Sequence, residues 1–98
     1  MSEPLLSHAE VDASLEEQGI RWTRQGDSLT TTVRLHDFAA ALEFVNAVGA
    51  AAEAANHHPD IDIRWNTVRL VLSTHDSGGL TLLDLALAAA IDRLTPTA

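Results

Sequence analysis

The chain has no cysteine, which excludes a disulfide framework and thiolate chemistry and suits a reducing compartment, so a cytoplasmic location is expected. Basic residues are scarce. Six Lys and Arg stand against fourteen Asp and Glu, a formal net charge of −8 at pH 7. A surface this acidic repels a phosphate backbone and anionic headgroups, so neither nucleic acid nor a membrane is an expected partner. Charged residues interrupt every apolar run, so no bilayer-spanning segment is expected. The opening Met1-Ser-Glu-Pro-Leu-Leu has neither the basic nor the long apolar stretch of a secretory leader. There is no internal repeat, linker or low-complexity tract. The alanine-rich region between Ala39 and Ala55 is good helix-forming sequence.

What is present fits one domain. Ninety-eight residues, 46% of them apolar, supply a single modest core. So small a domain buries a limited share of its surface, which makes oligomerisation favourable.

The chain reads as α-β-β-α-β-β-α. Ser7-His8-Ala9-Glu10 is a capping box, with Leu6 and Val11 placed as a hydrophobic staple. The first helix then runs to Gln18 and ends at Gly19. Ile20–Arg24 is a short strand carrying Trp22. Gly26-Asp27 is a turn, and Leu29, Thr31, Val33 and Leu35 alternate along a second strand. Asp37 caps a long helix whose buried face is expected to carry Phe38, Leu42, Val45 and Ala52, with Glu43, Asn46, Glu53 and His57 on another face. That helix must yield before Pro59. Ile61, Ile63 and Trp65, then Val68, Leu70 and Leu72, alternate on either side of Asn66-Thr67, predicting a hairpin with a two-residue turn there. Ser77-Gly78-Gly79 is a loop. Thr81 starts a third helix with Leu83, Leu87, Ala90, Ile91 and Leu94 expected on its buried face. The result is an α+β fold: a four-stranded antiparallel sheet with three helices packed on one face.

The predicted hairpin has a chemical consequence. A turn at Asn66-Thr67 sets Trp65 opposite Val68, Ile63 opposite Leu70 and Ile61 opposite Leu72, and its continuation sets His58 opposite His75. The pairing must fray at Pro59, which has no N–H to donate. His57, His58 and His75 should therefore converge. Glu53 lies one helical turn before His57, and Asp84 is positioned to join across the Gly78-Gly79 loop. Imidazoles titrate near neutrality, so the cluster suits general acid-base chemistry. Each member also has an ordinary reading. His57 and His58 complement a helix C-terminus, Asp84 is the acid of a capping box with Thr81, and Trp22 and Trp65 are packing residues. Three histidines raise the question of a metal, but no His-x-x-x-His or His-x-His pair is present and adjacent histidines rarely bind one ion, so none is expected.

The run Glu53-Ala-Ala-Asn-His57-His58-Pro59, then Trp65, then Ser73-Thr74-His75-Asp76, Gly78-Gly79-Leu80-Thr81 and Asp84 resembles the signature of pterin-4a-carbinolamine dehydratases. The likeness extends from about Trp22 to Leu94. It implies the same α-β-β-α-β-β-α fold, a homodimer or homotetramer, and dehydration of 4a-hydroxytetrahydropterin to quinonoid dihydropterin with no metal or cofactor. By position, the resemblance makes His57, His58, His75 and Asp84 the catalytic set. It makes Glu53, Pro59, Ser73, Thr74 and Trp22 contacts of the pterin. His57 and His75 are the expected acid-base pair, His58 a positioning residue, and Asp84 the partner that orients His75 or holds an imidazolium. The alternative is a non-catalytic pterin-binding, dimerisation or coactivator module on the same fold.

Overall fold

Local capping sets the helix boundaries, and in the computed structural model, which describes residues 3–96, most of them fall where expected. Residues 1, 2, 97 and 98, including the start of the N-terminal stretch considered above, lie outside the described residues. Helix α1 spans His8–Gln18. Ser7 and Glu10 satisfy each other's backbone N–H groups at its start, and Gly19 closes it at φ 64°. Strand β1 covers Thr23–Gln25 and β2 Ser28–Arg34. Helix α2 runs over Phe38–Ala55, with the Asp37 carboxylate accepting from the Ala40 N–H. Strands β3 (Asp60–Arg64) and β4 (Thr67–Leu72) form the second hairpin. A single 3₁₀ turn at His75–Ser77 leads to α3, Leu82–Leu94, which starts with a second reciprocal box between Thr81 and Asp84.

The four strands form one antiparallel sheet in the order β1-β2-β4-β3. Leu29 and Val33 of β2 and Val68, Leu70 and Leu72 of β4 face the helical layer and are buried. They meet Val11 and Leu15 of α1, Ala41, Phe44, Val48 and Ala52 of α2, and Leu85, Leu87, Ala88 and Ile91 of α3 in one core. The architecture is the expected α+β one.

Four details differ from the sequence reading. The first strand starts at Thr23, not Ile20, because Arg21 is otherwise engaged. Its backbone N–H and guanidinium bond Asp92, and the guanidinium also reaches the carbonyls of Asp92, Thr95 and Pro96 at the end of α3. Trp22 thereby precedes the strand and sits in the core. The second hairpin turns at Trp65-Asn66, so Ile63 pairs with Val68, Ile61 with Leu70 and Arg64 with Thr67. Asn66 fixes this register through β2: its carbonyl accepts the Leu35 N–H at 2.7 Å and its side-chain amide donates to the Leu35 carbonyl at 2.9 Å. The slide is two residues, so the apolar face is preserved while every cross-strand partner changes.

The buried stripes of both long helices are also rotated from expectation. On α2, Ala41, Phe44, Val48 and Ala52 are buried, whereas Phe38 and Leu42 are 45% and 41% exposed. Alanine at both ends of the buried stripe lets the helix backbone approach the sheet, and the larger side chains are left on the flank. On α3, Leu85 and Ala88 join Leu87 and Ile91 in the core, while Leu83 and Ala90 are half-buried and Leu94 exposed. Finally, α2 is longer and more apolar than expected, although Glu43 and Glu53 interrupt it. Its 18 residues have a mean hydropathy of 1.3, enough to cross a bilayer by length and composition alone. Here one face of it packs on the sheet and α3.

Trp65 holds a left-handed φ of 55° and is 67% exposed. A non-glycine residue there carries a steric cost of about 1–2 kcal/mol, which Asn tolerates better. Trp65→Asn should raise the unfolding free energy by about 0.5–1 kcal/mol in urea denaturation; equal or lower stability would show that packing of the indole outweighs the strain. At the other end of the molecule, the hydrogen bond from Arg24 holds the Asp12 carboxyl below its ordinary value, and the Ser7 N–H does the same for Glu10. Their folded values are depressed, so they stabilise the fold above the ordinary carboxylate range and that contribution is lost as pH falls through it. The acid side of a melting-temperature profile should therefore be shallower in Arg24→Gln than in the wild type.

Candidate active site

The second helix ends where the site begins. Asn56 takes a left-handed φ of 49° and closes α2, its N–H bonding the carbonyls of Ala52 and Glu53. His57 and His58 thus lie beyond the helix, not on its last turn. The His57 N–H still reaches the Ala52 carbonyl at 3.1 Å, which fixes its backbone. The observed hairpin register, continued three residues past Asp60 and Val71, sets His57 across from Thr74.

The other wall comes from the segment after β4. The Thr74 carbonyl accepts the N–H groups of Ser77, Gly78 and Gly79, and the Thr74 N–H donates to the Gly79 carbonyl. This tight loop needs the left-handed φ of 77° at Gly78. It carries His75, which is exposed. Residues 3–6 cross beside it. The Leu6 N–H bonds the Leu80 carbonyl at 2.9 Å, and the Ser77 hydroxyl bonds the Glu3 carbonyl at 2.7 Å. A side chain at Gly79 would meet the Leu5 Cδ2 at 3.1 Å, so the segment and the loop are in close contact.

Between these walls lies an open cleft of about 300 Å³, lined by Asn56, His57, His58, Ser73, Thr74, His75, Asp76 and Leu83. Its volume is at the lower end of small-molecule sites. Beneath the floor is a buried polar cluster. Asp84 is 0% exposed. Its Oδ1 is 2.6 Å from His57 Nε2, while its Oδ2 accepts the Thr74 hydroxyl at 2.7 Å and the Thr81 N–H at 3.0 Å. The Thr74 and Thr81 hydroxyls are themselves 2.8 Å apart.

A second histidine–carboxylate pair is built differently. His58 Nε2 lies 2.5 Å from Glu53 Oε2, but the two side chains are 56% and 77% exposed. In water such a pair contributes little to stability.

The structure thus brings His57, His58, His75, Ser73 and Thr74 to one cleft and sets Asp84 directly behind it. Asp84 engages His57, not His75, and Glu53 engages His58, not His57. Pro59 is half-buried and Glu53 reaches the cleft through His58; neither lines it. Trp22, 3% exposed, is a core residue away from the lining. The Ser73 hydroxyl is turned to the Asp27 carbonyl at 3.0 Å. Three lining residues have no site role in the sequence reading: Asn56, Asp76 and Leu83. Asn56 was legible in principle, since asparagine tolerates the left-handed cap of a helix that must end before Pro59. Among the described residues no group of three or more His, Asp or Glu side chains is placed to hold a metal ion.

A family model described as "Pterin 4 alpha carbinolamine dehydratase" matches residues 4–94 of the chain. A protein of Chloroflexus aurantiacus is 53% identical over 91 residues, covering 93% of this chain and 97% of its own length. One from Nocardia farcinica is 49% identical over 94 residues, covering 96% and 98%. Both carry the name "Putative pterin-4-alpha-carbinolamine dehydratase". Among solved structures, the chain superposes on a "transcriptional coactivator/pterin dehydratase" from Brucella melitensis with a TM-score of 0.87 at 25% identity, covering 95% of this chain and 100% of that one. A pterin dehydratase-like protein described as a RuBisCO assembly factor in the alpha-carboxysome shares the fold with a TM-score of 0.63 at 22% identity, over 81% of this chain and 92% of that one.

The two histidine–carboxylate pairs should differ sharply on mutation. Asp84→Ala strips the acceptor from three buried or half-buried donors and unmakes a helix cap, and should cost about 3 kcal/mol or more. Glu53→Ala should cost less than about 1 kcal/mol. Urea denaturation of both variants measures the contrast.

Proposed function

The chain belongs to the pterin-4a-carbinolamine dehydratase family, and from that premise we propose that it dehydrates a 4a-hydroxytetrahydropterin to the quinonoid dihydropterin by histidine general acid-base catalysis. The observation that carries this reading is His57. It stands at the wall of a cleft shared with His58 and His75, and its Nε2 is held by a buried carboxylate.

The chemistry needs two proton movements. The C4a–O bond breaks as the departing hydroxyl takes a proton and leaves as water. The N5–H proton goes to a base, and the electrons of that bond form the C4a–N5 double bond. With Nε2 engaged by Asp84, the other ring nitrogen of His57, Nδ1, is the one available to the cleft and receives the N5 proton. The resulting imidazolium is stabilised by the Asp84 carboxylate behind it. His75, on the exposed loop of the opposite wall, delivers the proton to the leaving hydroxyl and exchanges it with solvent. His58, restrained by Glu53, orients the substrate at the rim. The backbone around Ser73 and Thr74 supplies hydrogen-bonding edge for a flat, polar heterocycle. In this reading the protein serves tetrahydropterin recycling in the cytoplasm, as a homodimer or homotetramer for which the half-exposed Phe38 and Leu42 of α2 offer apolar surface.

A second reading, a non-catalytic pterin-binding or protein-interaction module, draws on the two structural neighbours, one described as both a transcriptional coactivator and a pterin dehydratase, the other as an assembly factor. Turnover separates the two.

Chemically prepared 4a-hydroxytetrahydropterin should dehydrate faster with the protein at neutral pH. His57→Ala should lower kcat/KM by about 100-fold or more, the usual contribution of a positioned acid or base. Absence of acceleration, or wild-type activity in the His57→Ala, His75→Ala double variant, would sink the dehydratase reading; tight pterin binding without turnover would favour the module.

A further inference from the structure

We infer that Thr74 is a positioning residue that couples the two proton-handling walls of the cleft, fixing the tautomer of His57 through its hydroxyl and the place of His75 through its backbone. The inference rests on the dehydratase reading for its catalytic consequence, while its structural core does not.

The Thr81 hydroxyl accepts the Leu83 N–H at 3.2 Å. Its own proton is then directed to the Thr74 oxygen at 2.8 Å. Thr74 has one hydroxyl proton, and it goes to Asp84 Oδ2 at 2.7 Å. Oδ2 also accepts the Thr81 N–H at 3.0 Å. These two bonds are made to the charged form of the carboxyl and favour it. An ionised carboxylate only accepts, so the geometry points to His57 Nε2, at 2.6 Å from Oδ1, as the donor. His57 consequently presents an unprotonated Nδ1 to the cleft, as a base requires. Removing the Thr74 hydroxyl breaks the chain in the middle. The Thr81 hydroxyl then loses its acceptor, and Oδ2 loses one of the two bonds that favour the ionised carboxylate.

The same residue organises the opposite wall. The Thr74 carbonyl collects the N–H groups of Ser77 at 3.0 Å, Gly78 at 3.0 Å and Gly79 at 3.4 Å, and so shapes the turn on which His75 stands. Thr74 is 7% exposed, and its hydroxyl faces the buried cluster. The family resemblance implies that Thr74 contacts the pterin. The geometry gives its hydroxyl to Asp84.

Side-chain ¹⁵N NMR of histidine-labelled protein, at a pH well above the ordinary imidazole range, reads the His57 tautomer directly. The wild type should show a single form protonated at Nε2. Thr74→Val, which keeps the shape and removes the hydroxyl, should show a mixture of tautomers. In the dehydration assay Thr74→Val should lower kcat about tenfold or more with KM changed less than about twofold, and Thr74→Ser should recover most of the loss. A wild-type His57 protonated at Nδ1 overturns the inference whatever the variants do, including a Thr74→Val chain too unstable to assay. So does a Thr74→Val protein with a lowered melting temperature but a single tautomer and unchanged kcat. If the wild type does not accelerate dehydration, the proposed function falls and the NMR result still decides the tautomer.

Discussion

The structure depends most on one buried carboxylate. Removing an ionised group from water costs several kcal/mol unless its acceptor positions are filled, and Asp84 is wholly buried. Its partners come from three separate places: the residue after the α2 cap, the second residue after β4, and the N-cap of α3. Each must be in place for the charge to be tolerated. The carboxylate therefore does not merely sit near the site. It forces the end of α2, the end of β4 and the start of α3 to one point, and the cleft is the opening above that point. The same group closes a capping box that starts α3, so the helix start and the site share one carboxylate.

The sheet delivers the walls to that point through register. Asn66 bonds Leu35 in both directions and so ties the β3–β4 turn to the end of β2. The turn then sets every pair along the hairpin, and at its far end His57 arrives across from Thr74. A slip of one residue would turn Val68, Leu70 and Leu72 out of the core. A slip of two keeps the core intact and moves the histidine away from Asp84. Hydrophobic burial thus selects the face, while the polar bonds of Asn66 and Asp84 select among the registers that burial leaves equivalent.

This explains which parts were legible in the sequence. The capping boxes at Ser7 and Thr81, the cap at Asp37 and the stop at Gly19 are local signals, and the structure has all four. The alternating strands gave the sheet and its composition. The hairpin register was not legible from alternation, because a two-residue slide preserves the apolar face; its determinant is a bond to Leu35, thirty-one residues away. The convergence of His57, His58 and His75 survived the wrong register because a two-residue slide displaces a strand end by only about 7 Å. The pairings within the cluster did not survive it. Asp84, expected to orient His75 or to hold an imidazolium, bonds His57. The rotation of the buried stripe on α2 was hidden for a related reason: a helix this rich in alanine and valine offers several apolar stripes, and close approach to the sheet chooses the one lined with alanine.

The two histidine–carboxylate pairs then separate by environment, not by distance. Glu53 and His58 are as close as Asp84 and His57, yet the side chains of the first pair are mostly exposed and those of the second are 10% and 0% exposed. An exposed pair is screened, reorganises freely and holds its ring only loosely. A buried pair has no solvent to substitute for a missing bond, so its geometry is set by the protein and persists through the reaction. A base that must accept a proton at one particular nitrogen needs the second kind of environment. A group that must exchange protons with bulk water needs access to it, as His75 has on its exposed loop. In the proposed dehydration, the difference in burial among the three histidines supports a division of labour that their order in the motif does not supply. It favours the fixed role for His57, the exchanging role for His75, and a place at the rim for His58, where holding the substrate tolerates some motion.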